Sequence, residues 1–219
     1  MRLTWLALLL LMAACGGDDS RREDGQVVQA AARGDLQSVL RLLEGGVDVD
    51  SRDAEGRTAV TAAVYSDQLE LVRALIDAGA DVDLQDSSRA NALLAAGETG
   101  NVDILRAVLR ADPDLTRTNR FGGTALIPAA DRGHIEVVRE LVGTEIDLDH
   151  VNDLGWTALL EAVILGDGGV AHQEIVRLLV EAGASVDIAD RDGVTPLEHA
   201  RRSGYTGIVQ ILSKPKTAE

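Results

Sequence analysis

Apolar side chains recur along this chain at a fixed interval of 33 residues. One alanine returns in six successive units, at Ala30, Ala63, Ala96, Ala129, Ala162 and Ala200. Two further apolar rows keep the same register: Val39, Val72, Leu105, Val138, Val176 and Val209, followed three residues later by Leu42, Leu75, Val108, Leu141, Leu179 and Leu212. One interval in each row is 38 residues, because the fifth unit carries five extra residues. Self-similarity at this period predicts a repeat protein, whose units bury apolar surface against their neighbours.

Each unit reads as a helix, a turn, a second helix and an acidic finger. Thr58 is the expected N-cap of a first helix, because a threonine hydroxyl can accept a free backbone N–H there. Glycines mark the turn between helices at Gly34, Gly100, Gly133 and Gly204, and the end of the second helix at Gly46, Gly79 and Gly183. The acidic fingers carry Asp48/Asp50, Asp81/Asp83 and Asp147/Asp149. The pattern predicts an all-α solenoid of stacked helix pairs.

These units resemble ankyrin repeats, most clearly in Gly56–Asp83 and Gly122–Val142. The last unit, Asp192–Tyr205, comes nearest to the Thr-Pro-Leu-His box of that family, with Glu198 in place of the histidine. The resemblance covers residues 24–213, with repeats near 24–52, 53–85, 86–118, 119–151, 152–189 and 190–213. It implies stacked helix pairs, β-hairpin fingers projecting to one side and a concave surface that binds other proteins.

The first fifteen residues are typical of an export signal. Arg2 precedes an apolar run of 11 residues, Trp5–Cys15, which is too short to span a bilayer. The segment Leu11–Cys15 resembles a bacterial lipobox, which implies cleavage before Cys15 and a diacylglycerol on its thiol. We therefore expect a signal peptide at 1–14, a lipidated cysteine and flexible tether at 15–23, and a polar tail at 214–219. An ordinary signal peptide with an incidental cysteine is the alternative.

The net charge of the chain limits the classes of partner that it could bind. The chain has 36 acidic and 21 basic residues, a formal net charge of −15. This balance argues against nucleic acid, since a phosphate backbone is bound by clusters of lysine and arginine. A single cysteine also excludes an internal disulfide and a multi-cysteine metal site. By resemblance to lipoproteins, Gly16 rather than aspartate after Cys15 indicates the outer membrane, with the repeats facing the periplasm.

The sequence signals for a metal site or a catalytic site are weak. His134 and His172 each follow a helix–helix turn in neighbouring units, where they invite a metal site. Stacked helices lie about 8–10 Å apart, however, which is too far for two ligands of one ion. The Asp-x-Asp pairs lack the spacing of a calcium-binding loop, so solvated turns are the favoured interpretation. The sequence predicts no cofactor, no metal and no catalytic residue.

The few aromatic residues point to a binding surface. By resemblance, Phe121 and Trp156 lie in fingers at positions that face the concave groove, and Leu154 is a finger position too. Ile164 and Leu165 end the first helix of the fifth unit, where other units carry polar residues. We expect these five side chains to cluster beside the insertion Gly166–Ala171, which either extends the groove or covers the cluster. The remaining candidates along the groove are Tyr65, Arg57, Arg120 and Arg132.

The third unit departs most from the repeat pattern. Arg89 stands where a turn glycine is expected, Gly97 lies inside a helix, and Pro113 replaces a finger alanine. Because each repeat is stabilised mainly by its neighbours, we expect the array to open first here. On helix propensity alone, Gly97→Ala should stabilise the protein by up to about 1 kcal/mol, provided that a methyl group fits.

Together these features predict a lipid-anchored, exported protein of the bacterial envelope that binds another protein without catalysis, as a scaffold or accessory subunit. An inhibitor or immunity-type binder of an envelope enzyme is the alternative, because apolar anchors on an acidic surface suit both functions. An enzyme is the third and least favoured class.

Overall fold

A computed structural model describes residues 25–213, which form twelve helices. The first, α1, runs through residues 25–32. The others are α2 (Leu36–Glu44), α3 (Ala59–Tyr65), α4 (Leu69–Asp77), α5 (Ala92–Thr99), α6 (Val102–Leu109), α7 (Leu126–Asp131), α8 (Ile135–Leu141), α9 (Ala158–Ile164), α10 (Val170–Glu181), α11 (Pro196–Arg202) and α12 (Thr206–Leu212). The expected signal peptide, Cys15, the tether and the polar tail lie outside the described residues.

The helices are arranged in six antiparallel pairs that stack into two rows. The first helices of successive repeats contact one another, from α3 through α5, α7 and α9 to α11. The second helices form a parallel row, in which α4 contacts α6, α6 contacts α8, α8 contacts α10 and α10 contacts α12. This is the predicted all-α solenoid. Among the described helices, none is both long and apolar enough to cross a membrane.

The recurring alanines lie where the helices approach most closely. All six are at most 1% exposed, so this row forms the spine of the core. The two further apolar rows are fully buried in the central repeats, whereas Leu42 and Val209 in the terminal repeats are only partly buried. The difference follows from position, since a terminal repeat has only one neighbour to pack against.

The predicted N-cap, Thr58, is confirmed, and the equivalent residues cap the first helix in three further repeats. Side-chain oxygens of Thr58, Asn91, Thr157 and Thr195 each accept the backbone N–H three residues later. Thr195 and Glu198 also form a complete capping box, in which Glu198 accepts the Thr195 N–H. Thr124 is the exception. Helix α7 begins one residue late with Ala125 at its N-cap, and the buried Thr124 hydroxyl has no hydrogen-bond partner.

Three non-glycine residues have positive φ, and each stands in a row where other repeats have glycine. They are Asp67 (φ 58°), Arg89 (φ 61°) and Asp112 (φ 54°). Such a backbone costs about 1–3 kcal/mol for a residue with a Cβ. Two of the three belong to the third repeat. These two residues with positive φ are consistent with a weak third repeat, which stays a prediction.

The other two departures in that repeat have structural explanations. Pro113 is buried in its finger, as Ala80 is in the preceding repeat. Gly97 is buried in α5, and a Cβ added there would lie 2.4 Å from the carbonyl oxygen of Ala125. The condition for stabilisation by alanine at position 97, room for a methyl group, is therefore not met, because the next repeat already occupies that space.

The fingers also differ from the expected β-hairpins. The described residues contain no strand, and their one isolated bridge joins Arg52 to Thr58. Each finger is a turn closed by backbone and side-chain hydrogen bonds, without paired strands.

Candidate protein-binding surface

One carboxylate or amide oxygen closes each finger turn. The residue recurs in the register of the alanine row, at Asp53, Asp86, Asn119, Asn152 and Asp190. Its Oδ1 accepts the backbone N–H two residues later and the one four residues later, as Asn152 does from Leu154 N at 2.9 Å and Trp156 N at 3.0 Å. The fingers that carry the candidate binding residues are thus held rigidly. The sequence analysis missed this row, although its 33-residue spacing was a sufficient signal.

The Asp-x-Asp pairs connect successive repeats. The first aspartate closes its own turn, as Asp81 Oδ1 does by accepting Asp83 N at 2.9 Å. The second accepts a backbone N–H of the next repeat, as Asp50 does from Asp81 at 2.9 Å and Asp149 from Ser185 at 2.8 Å. Within residues 25–213, no group of three or more histidine, cysteine or acidic side chains could hold a metal ion. These carboxylates are structural links between repeats.

His134 and His172 link repeats in a similar way. His134 Nε2 lies 3.1 Å from the carbonyl oxygen of Glu98, and His172 Nε2 lies 3.0 Å from that of Asp131. A carbonyl only accepts, so each of these ring nitrogens donates and has no lone pair for a metal. The structural interpretation of the two histidines agrees with this geometry.

Exposed apolar side chains concentrate on the fingers of the fourth and fifth repeats. Phe121 is 53% exposed and Leu154 is 49% exposed, whereas Trp156 is partly buried. The sequence analysis missed Val151, which is 46% exposed in the same stretch. We call Phe121, Val151, Leu154 and Trp156 the finger patch.

The two fingers of this patch are joined to each other. Asp153 N donates to Phe121 O at 2.9 Å, and His150 Nε2 lies 2.6 Å from Gly122 O. The Arg120 guanidinium lies over the Phe121 ring, 4.8 Å from its centroid, where it rims the patch with positive charge. The finger patch is therefore one continuous, rigid surface.

The structure does not bring Ile164 and Leu165 to the finger patch. Trp156 directly precedes the N-cap of α9, whereas Leu165 is its C-cap, and a seven-residue helix separates these ends by about 10 Å. The expected five-residue cluster is therefore divided between two ends of one helix. Leu165 is 51% exposed and the neighbouring Val170 is 83% exposed, so a second, smaller apolar spot lies at the turn end.

The insertion packs at the same turn end. Tyr205 O–H donates to Gly166 O at 3.0 Å, Gln173 Nε2 donates to Gly168 O at 2.8 Å, and the Asp167 carboxylate lies 3.0 Å from His172 Nδ1. These contacts hold the insertion against α10 and the last repeat. Its hydrogen bonds do not reach the finger patch, which keeps Phe121 and Leu154 exposed.

The remaining candidates are engaged within the chain. Arg57 donates two hydrogen bonds, of 3.1 and 3.0 Å, to Asp53 Oδ2. Glu98 accepts from Tyr65 O–H at 3.2 Å and from Arg132 Nη2 at 2.8 Å, which links three repeats along the groove. Burial and the Glu98 charge raise the pKa of Tyr65 to about 12. A partner that used these residues would have to break or share existing contacts.

A buried carboxylate lies behind the fifth finger. Glu161 in α9 is 5% exposed, and its Oε1 accepts a hydrogen bond from Asn152 Nδ2 at 2.8 Å. Burial raises the pKa of Glu161 to about 6, the Asp131 charge adds to the rise, and the Asn152 bond opposes it. The same row holds Ala62, Ala95, Pro128 and His199 in other repeats. Glu161 was not predicted from the sequence, although a single acidic residue in this row was a visible signal.

Comparison with known proteins agrees with the geometry. A family model described as "Ankyrin repeats (3 copies)" matches residues 27–119 and 94–190. The chain belongs to the ankyrin-repeat family. An ankyrin repeat domain from Acinetobacter baumannii is 47% identical, with a TM-score of 0.82, over 85% of this chain and 95% of that one. A second ankyrin repeat protein of known structure is 42% identical, with a TM-score of 0.83, over 87% of this chain and 97% of that one.

Two further ankyrin-repeat proteins are similar to this chain. The ankyrin repeat domain of Bcl-3, an IkappaB family member, is 29% identical with a TM-score of 0.75, over 85% of this chain and 83% of that domain. The putative ankyrin repeat protein YahD of Escherichia coli is 51% identical over 51 residues, which are 23% of this chain and 25% of that protein. The chain thus spans about a quarter of the length of this relative. Ankyrin repeats are generally non-catalytic modules for protein–protein interaction, and this chain has their architecture.

The buried Glu161 should make the stability of this ankyrin array depend on pH. Its pKa is about 6 when folded and 4.5 ordinarily, so the folded state binds the proton more tightly. Ionisation therefore lowers the free energy of unfolding as pH rises from 4.5 to 6, by up to about 2 kcal/mol. Glu161→Gln should accordingly stabilise the protein above pH 6 and have little effect below pH 4.5.

Urea unfolding of wild type and variant at pH 4 and pH 8 measures this difference. Glu181→Gln, which removes the same charge from an exposed position, should show no comparable change. A difference between wild type and Glu161→Gln that is the same at both pH values would contradict the prediction.

Proposed function

We propose that this protein is a non-catalytic binding scaffold or accessory protein, which recognises another protein through the finger patch of its fourth and fifth repeats. The observation that carries the proposal is the exposure of Phe121 and Leu154 on two fingers joined by hydrogen bonds. Exposed apolar side chains on a rigid surface rimmed by charge favour protein binding, because their burial is favourable and costs little ordering entropy.

We further propose that Cys15 anchors the protein by lipid in the bacterial envelope, at the outer membrane and facing the periplasm. The apolar run Trp5–Cys15, with small residues before the only cysteine of the chain, supports lipid attachment. Gly16 supports the outer membrane by its resemblance to lipoproteins. The acidic polar segment that follows Cys15 gives the repeats reach from the membrane surface.

Cys15→Ser should release the protein from the membrane. Serine cannot form the thioether to diacylglycerol, so the variant should enter the soluble fraction or remain as the uncleaved precursor. Labelled fatty acid followed by fractionation measures both outcomes, with wild type as the labelled control. A Cys15→Ser protein of mature size that stays with the membrane would refute the lipid anchor.

Photocrosslinking from within the finger patch tests the binding role. A photoreactive amino acid at Phe121 should join the protein to a specific partner in intact cells, whereas the same group at Glu181, exposed at the end of α10, should not. If the partner is an enzyme whose activity falls on binding, the protein is an inhibitor rather than a scaffold. Equal crosslinking from both positions would count against the finger patch.

A further inference from the structure

Glu161 is a buried carboxylate with an incomplete set of partners. Asn152 Nδ2 donates to its Oε1, and no other hydrogen bond or ion pair reaches the Glu161 carboxylate from the described residues. Its second oxygen is not among the fully buried, unsatisfied atoms, so this oxygen borders solvent. A carboxylate in this state is desolvated but not neutralised by any protein cation.

The neighbouring helices supply no positive charge to Glu161. Helix α9 packs against α7, α10 and α11. The charged residue of α7 near it is Asp131, which is also acidic. On α10, Arg177 pairs with Glu174, and His172 is bound to Asp131 O and Asp167.

In α11, the residue equivalent to Glu161 has its polar partner within its own repeat. His199 stands in the row of Glu161, and its Nε2 lies 2.7 Å from Asp190 Oδ2 of its own finger. In this pair the histidine ring and the aspartate carboxylate satisfy each other within one repeat. Arg201 and Arg202 of the same helix are exposed, and their charges act on the Glu198 carboxylate.

The fold does not need an acid at this position. Two of the other repeats fill the same row with alanine, and both alanines are buried without a polar partner. A buried carboxylate lowers stability relative to such a residue. Groups that lower stability are characteristic of binding sites, where the cost is recovered when a ligand arrives.

The location connects Glu161 to the finger patch. Asn152 binds Glu161 through its Nδ2, and through its Oδ1 it holds the backbone of Leu154 and Trp156. One side chain therefore bridges the carboxylate and two members of the patch.

We propose that Glu161 receives a cationic side chain, arginine or lysine, from the partner protein, while apolar residues beside that cation pack on Phe121, Leu154 and Trp156. The inference rests on the proposed function and specifies its ligand. Charge complementarity supports it, since the chain has a net charge of −15 and the carboxylate lacks a counter-ion. A desolvated carboxylate favours a cation over a neutral donor, because charge-assisted hydrogen bonds are stronger.

Selection from a random library of displayed 12-residue peptides tests the inference on the immobilised full-length protein. Wild type should enrich peptides with one fixed arginine or lysine flanked by apolar residues. Glu161→Gln should lose preference for the basic position but keep the apolar one, and Glu181→Gln should select as wild type does. Circular dichroism and thermal unfolding establish that each variant is folded.

A synthetic copy of the dominant peptide then gives the affinity by fluorescence anisotropy. Glu161→Gln, or norleucine in place of the basic residue, should each weaken binding by about tenfold or more, and the double change should cost little further. Affinity for wild type should rise as pH increases past about 6, when Glu161 ionises.

The outcomes separate the inference from the proposed function. If peptides bind the finger patch, and lose affinity with Phe121→Ala, yet show no basic preference or bind Glu161→Gln equally well, the inference fails and the binding surface stands. If no peptides are enriched, or if those enriched are indifferent to both Phe121→Ala and Glu161→Gln, the inference and the finger patch both fail.

Discussion

Gly97→Ala is expected to destabilise the protein by about 2–3 kcal/mol, although alanine is the better helix former. The Cβ would lie 2.4 Å from Ala125 O, 3.0 Å from Ala125 Cβ and 3.1 Å from Ala125 C. The first contact is with backbone at the N-cap of α7, so no side-chain rotation relieves it. Helices α5 and α7 must move apart, and the packing between the third and fourth repeats weakens with them.

The damage should be local because each repeat is stabilised by its neighbours. Urea unfolding of the variant should therefore separate into two transitions when circular dichroism, which reports all helices, is compared with fluorescence. In a chain without residues 1–14, Trp156 is the only tryptophan, so fluorescence reports the fifth repeat alone. Wild type should show coincident transitions.

Gly123→Ala is the matched control. Gly123 is buried like Gly97, but a Cβ there meets the Ile127 side chain at an ordinary 3.5 Å. Its effect should stay below about 1 kcal/mol. A Gly97→Ala protein that is as stable as wild type, or more stable, would show that helix propensity outweighs the close approach to Ala125.

The structural reason for Gly97 could not be predicted from the sequence. The 33-residue period identified the helices, the alanine spine and most N-caps, because these depend on local chemistry repeated in each unit. The equivalents of Gly97 in the other repeats are Ala31, Val64, Ala130, Val163 and Arg201, so the period presents the glycine as a defect. The glycine is required by the short distance to the next repeat, where α7 starts one residue late. The pattern of residues within one unit does not reveal that distance.

The candidate binding site, like the fold, was predicted in part from the sequence. The sequence placed Phe121, Leu154 and Trp156 on fingers, and the structure has them there. It grouped them with Ile164 and Leu165, because both sets depart from the polar residues of other repeats, but composition does not reveal which end of a helix a residue occupies. The sequence left open whether Trp156 is exposed or covered by the insertion, and in the structure the folded finger partly buries it. Side-chain burial depends on the hydrogen bonds of Asn152, which fix the path of the turn.

Trp156→Ala is expected to weaken partner binding by about 2 kcal/mol or more, close to a thirtyfold loss of affinity. A large ring that is already partly buried is held in place before binding, so little ordering entropy opposes its contact with a partner. The same partial burial means that the substitution also removes packing within the finger. We therefore expect a moderate loss of stability with the fold retained, and fluorescence intermediate between buried and exposed tryptophan in the free protein.

The partner captured through Phe121 is the ligand for this measurement, by titration calorimetry with each folded variant. Tryptophan emission should shift to the blue on binding, and acrylamide should quench it more slowly. Val170→Ala provides the matched control, because Val170 is 83% exposed but lies at the turn end of the fifth repeat. Its loss should leave affinity unchanged. If Val170→Ala weakens binding and Trp156→Ala does not, the partner binds beside the insertion, and Leu165 rather than Trp156 becomes the residue on which recognition depends.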